Sequence, residues 1–141
     1  MSSRPNIIST TPEGGCDSTT NVISSAVKSY IKSRGECNLM LTGGNTVKQL
    51  YQHWTVTKPW DHRNVRYYFG DERCVPPDNE DSNYGMVVMT LFSNGISKDC
   101  ALNRMEGELT DREVAAKNYE QMLPDSIDVL LLSVGIDEYI A

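Results

Sequence analysis

Residues 38–50 read Asn38-Leu39-Met40-Leu41-Thr42-Gly43-Gly44-Asn45-Thr46-Val47-Lys48-Gln49-Leu50, and no other stretch limits the fold as strongly. Leu39, Met40 and Leu41 form a short apolar run, the pattern of a strand buried on both faces. Thr42 to Thr46 is a turn of small, flexible and capping residues. Val47, Leu50, Tyr51 and Trp54 then recur at helical spacing. Strand, glycine turn and helix together make an anion-binding arrangement. The free N–H groups of the helix's first turn point into the turn, and the dipole favours negative charge there. Gly43 and Gly44 carry no Cβ, so a phosphate can approach the backbone closely. A glycine turn that only joins a strand to a helix has the same signature, so the reading needs support from elsewhere in the chain.

The remaining elements follow in order. Residues 1–18 read as irregular, with Asn6 to Thr10 as a short edge strand and Pro12-Glu13-Gly14-Gly15 as turn chemistry. A helix is predicted from Ser18 or Thr19. Its stripe is Val22, Ile23, Ala26, Val27, Tyr30 and Ile31, and Gly35 is its stop. The central strand and its helix end near Trp54. Thr57 to Asn64 is a polar connection in which His53, just before it, and His62 read as solvated. Val65 to Phe69 is a second strand, running into Gly70-Asp71-Glu72-Arg73 and a loop to Asp81. A helix is expected from Ser82 to Phe92, with Ser82 and Asn83 as caps. Leu102 to Met105 reads as a short strand. Thr110 and Glu113 match a capping box for a helix reaching Leu123. Ile127 to Val134 is a buried-strand run that feeds Gly135-Ile136-Asp137-Glu138-Tyr139.

Strand-to-helix units in alternation imply an α/β fold with a parallel sheet and helices on both faces. Ligands in such folds sit beyond the carboxyl ends of the strands. Three segments leave those ends: Thr42–Thr46, Gly70–Arg73 and Gly135–Tyr139. All three carry Gly, and the last two carry Asp.

At 141 residues the chain is expected to form one domain, 1–141. Its 19 acidic and 13 basic residues give a net charge of −6, which argues against nucleic acid as a partner. A small phosphorylated ligand needs only local donors. Cys16, Cys37, Cys74 and Cys100 form no CxxC pair or Cys/His cluster, so no metal site is expected. No run has the length of a signal peptide or membrane span. The expectation is a soluble cytoplasmic protein with reduced thiols and no membrane association.

Taken together, Leu41-Thr42-Gly43-Gly44-Asn45-Thr46, Gly70-Asp71-Glu72-Arg73-Cys74-Val75-Pro76 with Asp81-Ser82-Asn83-Tyr84-Gly85-Met86, and Leu130-Leu131-Leu132-Ser133-Val134-Gly135 resemble the 6-phosphogluconolactonase family, within the wider group of glucosamine-6-phosphate deaminase/isomerases. The likeness runs from about Val22 to Ala141. It implies a Rossmann-like three-layer fold, and hydrolysis of 6-phosphogluconolactone in the pentose phosphate pathway with no cofactor. It also implies that Thr42, Gly43, Gly44, Asn45 and Thr46 hold the substrate phosphate, with Asp71 facing the ligand and Arg73 as a fixed cation. The catalytic positions it implies are Asp137 and Tyr139.

Two departures from the family pattern follow. Its last motif reads Gly-x-Asp-Gly-His, whereas this chain has Gly135-Ile136-Asp137-Glu138-Tyr139. The family histidine is taken as the general base, a role suited to a group titrating near neutrality. A phenol titrates near ~10 and is about a thousandfold less available as a base. Glu138 adds negative charge and limits backbone freedom where the family has glycine. Family chains also continue well past Ala141, so the fold is expected to be incomplete relative to them, with an apolar strand edge. The expectations are a homo-oligomer covering that edge, or a piece of a longer reading frame. Lactonase activity is expected to be impaired. A non-catalytic sugar-phosphate-binding or assembly module and an amino-sugar-phosphate isomerase/deaminase are the rival readings.

Overall fold

A computed structural model describes residues 4–138 and 140 of the chain. The elements are α1 (Gly15–Arg34), β1 (Cys37–Leu41), α2 (Asn45–Thr57), β2 (Val65–Phe69), α3 (Asn83–Thr90), β3 (Ala101–Leu102), α4 (Arg112–Met122) and β4 (Val129–Leu130), with a 3-10 turn at His62–Asn64 before β2. The four strands form one parallel sheet in the order β3-β2-β1-β4. Cys37 to Leu41 pair residue for residue with Val65 to Phe69. The Gly70 amide extends that ladder by donating to the Leu41 carbonyl at 3.0 Å.

Strand periodicity sorts the side chains into two layers. Cys37, Leu39, Leu41, Val65, Tyr67 and Phe69 join the main core with Ile23 and Val27 of α1, Leu50, Tyr51 and Trp54 of α2, and Val87 of α3. The other layer is supplied by α4. Its Tyr119 hydroxyl accepts from the Phe69 amide at 2.6 Å and donates to the Phe69 carbonyl at 2.9 Å. Burial pushes that phenol up to about 12, so it keeps the proton it donates. At the opposite end of the sheet the Asp128 carboxylate is buried. It receives the Arg34 guanidinium and, at 2.8 Å, the Asn38 amide, which fastens β4 to the start of β1.

Several expectations change. Asn6 to Thr10 is not a strand, because β3 and β4 take both sheet edges and this segment runs beside the start of α1 instead. Helix α1 begins at Gly15, earlier than expected, and Val22 lies outside its buried stripe. Helix α2 continues past Trp54 to Thr57. The cap of α4 is Asp111, whose carboxylate accepts from the Glu113 and Val114 amides at 3.0 and 3.2 Å, in place of the Thr110 hydroxyl. The run from Ile127 to Val134 pairs with β1 only at Val129 and Leu130, and Val134 makes an isolated antiparallel bridge to Ile140. It is an edge, with Leu130, Leu132 and Val134 exposed by 50%, 56% and 65%.

Neither histidine is simply solvated. His53 Nε2 lies 3.0 Å from an Asp17 oxygen, linking α2 to α1. His62 packs on Phe92 at 4.9 Å between ring centres. Tyr67 oxygen accepts from Trp60 Nε1 at 2.8 Å and sits 2.5 Å from His62 Nδ1. Burial holds the His62 imidazole below its ordinary value, while Asp61 opposes that shift, which favours the neutral ring beside the Tyr67 hydroxyl. An unfolded chain titrates this ring near ~6.5. Below that pH the unfolded state binds a proton that the folded state refuses, so stability is present above it and falls as pH drops. We predict a melting temperature that declines from pH 7 toward pH 5, and a flatter profile in that window for His62→Asn, read by circular dichroism melts.

Candidate functional site

The three predicted segments meet at the carboxyl ends of β1, β2 and β4. Thr42, Gly43 and Gly44 from the first, Asp71 and Arg73 from the second, and Gly135 and Asp137 from the third line one cleft of about 240 Å³, with Ser133 just before the third segment and Asn83 closing it from α3. Asn45 and Thr46 do not line this cleft. Thr46 instead lines a neighbouring groove between the start of α1, the start of α2 and the edge of β4. Tyr139 lies outside the described residues.

Each wall has a local cause. Thr42 is pinned by Tyr51: its amide donates to the Tyr51 hydroxyl at 3.1 Å, and its carbonyl accepts from the same hydroxyl at 2.7 Å. Burial pushes the Tyr51 phenol well above its ordinary value, so the proton stays. The Thr42 backbone is thereby committed, and only its side chain is left to face a ligand. Gly44 then turns the chain at φ +109° and ψ 164°, a region essentially open to glycine alone. Helix α2 starts without a side-chain cap and without an acidic residue in its first turn. Its early N–H groups therefore keep the positive end of the dipole available.

Gly43 packs tightly against Asn83. A Cβ there would lie 2.1 Å from the Asn83 amide oxygen. The Asn83 Nδ2 donates to the Asp71 carbonyl at 3.3 Å, so this amide bridges the first two loops. Sequence reading assigned Asn83 a capping role. The cap is Ser82, whose hydroxyl accepts from the Gly85 amide at 3.0 Å, and Asn83 was missed as a cleft residue. The signal for it lay in the Gly43–Asn83 pairing, which needs the tertiary fold to be seen.

Arg73 is exposed and has no carboxylate within ion-pair distance among the described residues. Its neighbour Glu72 is engaged elsewhere, with the first turn of α3. Asp71 holds one carboxylate oxygen buried without a hydrogen-bond partner among the described residues. The third loop is a tight turn closed by the Glu138 amide donating to the Gly135 carbonyl at 3.0 Å. Glu138 stands at φ +65°, the left-handed region that favours glycine. A Cβ on Gly135 would come within 2.5 Å of the Asp137 carboxylate. No group of three or more metal-ligating side chains occurs among the described residues. No helix there is long and apolar enough to cross a membrane.

The family of glucosamine-6-phosphate isomerases/6-phosphogluconolactonase matches residues 10–141. The chain is 33% identical to the 6-phosphogluconolactonase of Chlamydia pneumoniae over 114 residues, 76% of this chain and 43% of that one. It is 31% identical to the 6-phosphogluconolactonase of Haemophilus influenzae over 122 residues, 79% of this chain and 51% of that one. The chain thus spans about half the length of these relatives. A crystal structure of a 6-phosphogluconolactonase from Shewanella baltica superposes with a TM-score of 0.81 at 24% identity, covering 92% of this chain and 56% of that one, a likeness of fold.

Gly43→Ala and Gly44→Ala test the first wall. Overpacking against Asn83 or a forced positive φ is expected to cost each variant about 1–3 kcal/mol. Urea unfolding should show lower midpoints with an unchanged slope.

Proposed function

This chain belongs to the glucosamine-6-phosphate isomerase/6-phosphogluconolactonase family, and on that premise we propose that its strand-end cleft binds a sugar phosphate and hydrolyses 6-phosphogluconolactone weakly or not at all. The observation that carries the binding half is the convergence of Gly43, Arg73 and Asp137 on one hollow. In this reading the turn before α2 takes the phosphate through the N–H groups of Gly43 and Gly44, the residues of the predicted cradle whose backbone lines the cleft. Such donors are prealigned and cost no reorganisation when an anion arrives. Arg73 supplies the fixed cation, with a planar fork suited to oxyanions. Asp71 faces the hydroxyl-bearing part of the ligand.

The impairment half rests on residue chemistry. Lactone hydrolysis needs a base that deprotonates water beside the carbonyl. The position that the family resemblance gives to that base is Tyr139, a phenol that holds its proton at neutral pH. Asp137 is the other candidate for the role, and a carboxylate is a weak base in water. Glu138 occupies the preceding position in a glycine-like conformation, which supports a glycine ancestor at that turn.

Two measurements test the proposal. Hydrolysis of fresh 6-phosphogluconolactone should stay at or only slightly above the buffer rate, and the pair Glu138→Gly with Tyr139→His should raise it at least tenfold. Turnover by the unmodified chain at the rate of an ordinary enzyme would refute the impairment. Binding is expected as a rise in melting temperature with 6-phosphogluconate, since a ligand held only by the folded state stabilises it by mass action. That rise should vanish in Arg73→Ala.

A further inference from the structure

We propose that Glu72 is the positioning residue of the cleft: its carboxylate clamps the loop after β2 to the first turn of α3 and so sets where Arg73 and Asn83 stand. The inference rests on the sugar-phosphate reading above. Glu72 Oε1 accepts from the Arg73 amide at 2.8 Å and the Asn83 amide at 2.7 Å. Its Oε2 accepts from the Ser82 hydroxyl at 2.9 Å and the Tyr84 amide at 3.0 Å. Four donors on one carboxylate use its full accepting capacity. Glu72 itself is absent from the cleft lining, so it acts through its neighbours.

Two consequences follow. The start of α3 already holds a carboxylate, and the Ser82 hydroxyl takes the Gly85 amide, so this helix end is closed to a second anion. The start of α2 is left open beside it. One charged side chain therefore decides which of two adjacent helix ends receives the ligand's charge. The second consequence is geometric. Asn83 is fixed by its backbone to Glu72 and by its side chain to the Asp71 carbonyl, with its amide oxygen in the space of a Gly43 Cβ. Releasing Glu72 unties α3's first turn, which carries Asn83, from the loop after β2, and the seam between the first two loops loosens with it. Arg73 loses its amide anchor in the same step.

Glu72→Gln tests this. It keeps the shape, but its NH₂ group meets donors where an oxygen accepted. The protein and the variant are titrated with 6-phosphogluconate at 10 °C, following backbone amide resonances. The dissociation constant is expected to rise at least tenfold. Without ligand, the Gly43 and Arg73 amides should shift, and the Asn83 and Tyr84 amides should exchange faster. Asp111→Ala, which uncaps α4 away from the cleft, should lower the melting temperature and leave the dissociation constant within twofold. Should Glu72→Gln not fold, Glu72→Asp, with the same charge and a shorter reach, carries the same measurements. An unchanged dissociation constant with unmoved Gly43 and Arg73 amides overturns the inference. If neither protein binds 6-phosphogluconate, the sugar-phosphate reading fails, and the ligand-free resonances still decide the role of Glu72.

Discussion

The Tyr51 hydroxyl closing on both backbone groups of Thr42 is the contact on which the arrangement at the strand ends depends. A strand that runs into a buried turn leaves its last N–H and C=O without a ladder partner. Each such group costs about 1–3 kcal/mol when left unmet in the interior. Here one side chain from the second turn of α2 meets both. That fixes the angle at which α2 leaves β1, and it settles which amides are spent and which remain. Thr42 is spent internally. The amides that follow it, at the glycines and the start of α2, meet no side-chain cap.

This division explains how far the chain could be read from its residues. The buried strands announce themselves through composition, and the α2 stripe of Val47, Leu50, Tyr51 and Trp54 is buried as its spacing requires. The order of loops around the sheet followed from topology, since parallel strands put their carboxyl ends on one side. What sequence could not supply was partner choice. Asp111 outcompetes Thr110 as a cap because its carboxylate reaches two amides, and both residues are plausible caps by type. His62 looks like a loop histidine until Tyr67, Trp60 and Phe92 are brought around it by the fold. The β4 run reads as fully buried because apolar runs carry no information about which neighbour covers each face.

Glu72 shows the same limit in the site. By sequence distance it is the natural ion-pair partner of Arg73. The fold sends its carboxylate to the start of α3 instead, where two amides and a hydroxyl converge, and the Arg73 amide adds a fourth donor. Arg73 is thereby left without a carboxylate partner among the described residues. A guanidinium that is not neutralised locally, next to an uncapped helix start, is an arrangement that stores attraction for an incoming anion.

The charge balance of the cleft then says what must carry that attraction. Among the described lining residues Arg73 is the one cation, against the carboxyl groups of Asp71 and Asp137. The chain as a whole carries −6. Long-range steering therefore opposes an anionic ligand, and at physiological salt it is screened beyond about 8 Å in any case. In the proposed sugar-phosphate reading, recognition comes from short-range dipoles and from the planar guanidinium of Arg73. Short-range donors act only when their geometry is held, which is why the cleft's rigidity, set by Tyr51, Asn83 and Glu72, matters more to binding here than its net charge. The strained Glu138 is the counter-case: it adds one more negative charge at a turn whose backbone prefers glycine, on the loop that carries Asp137.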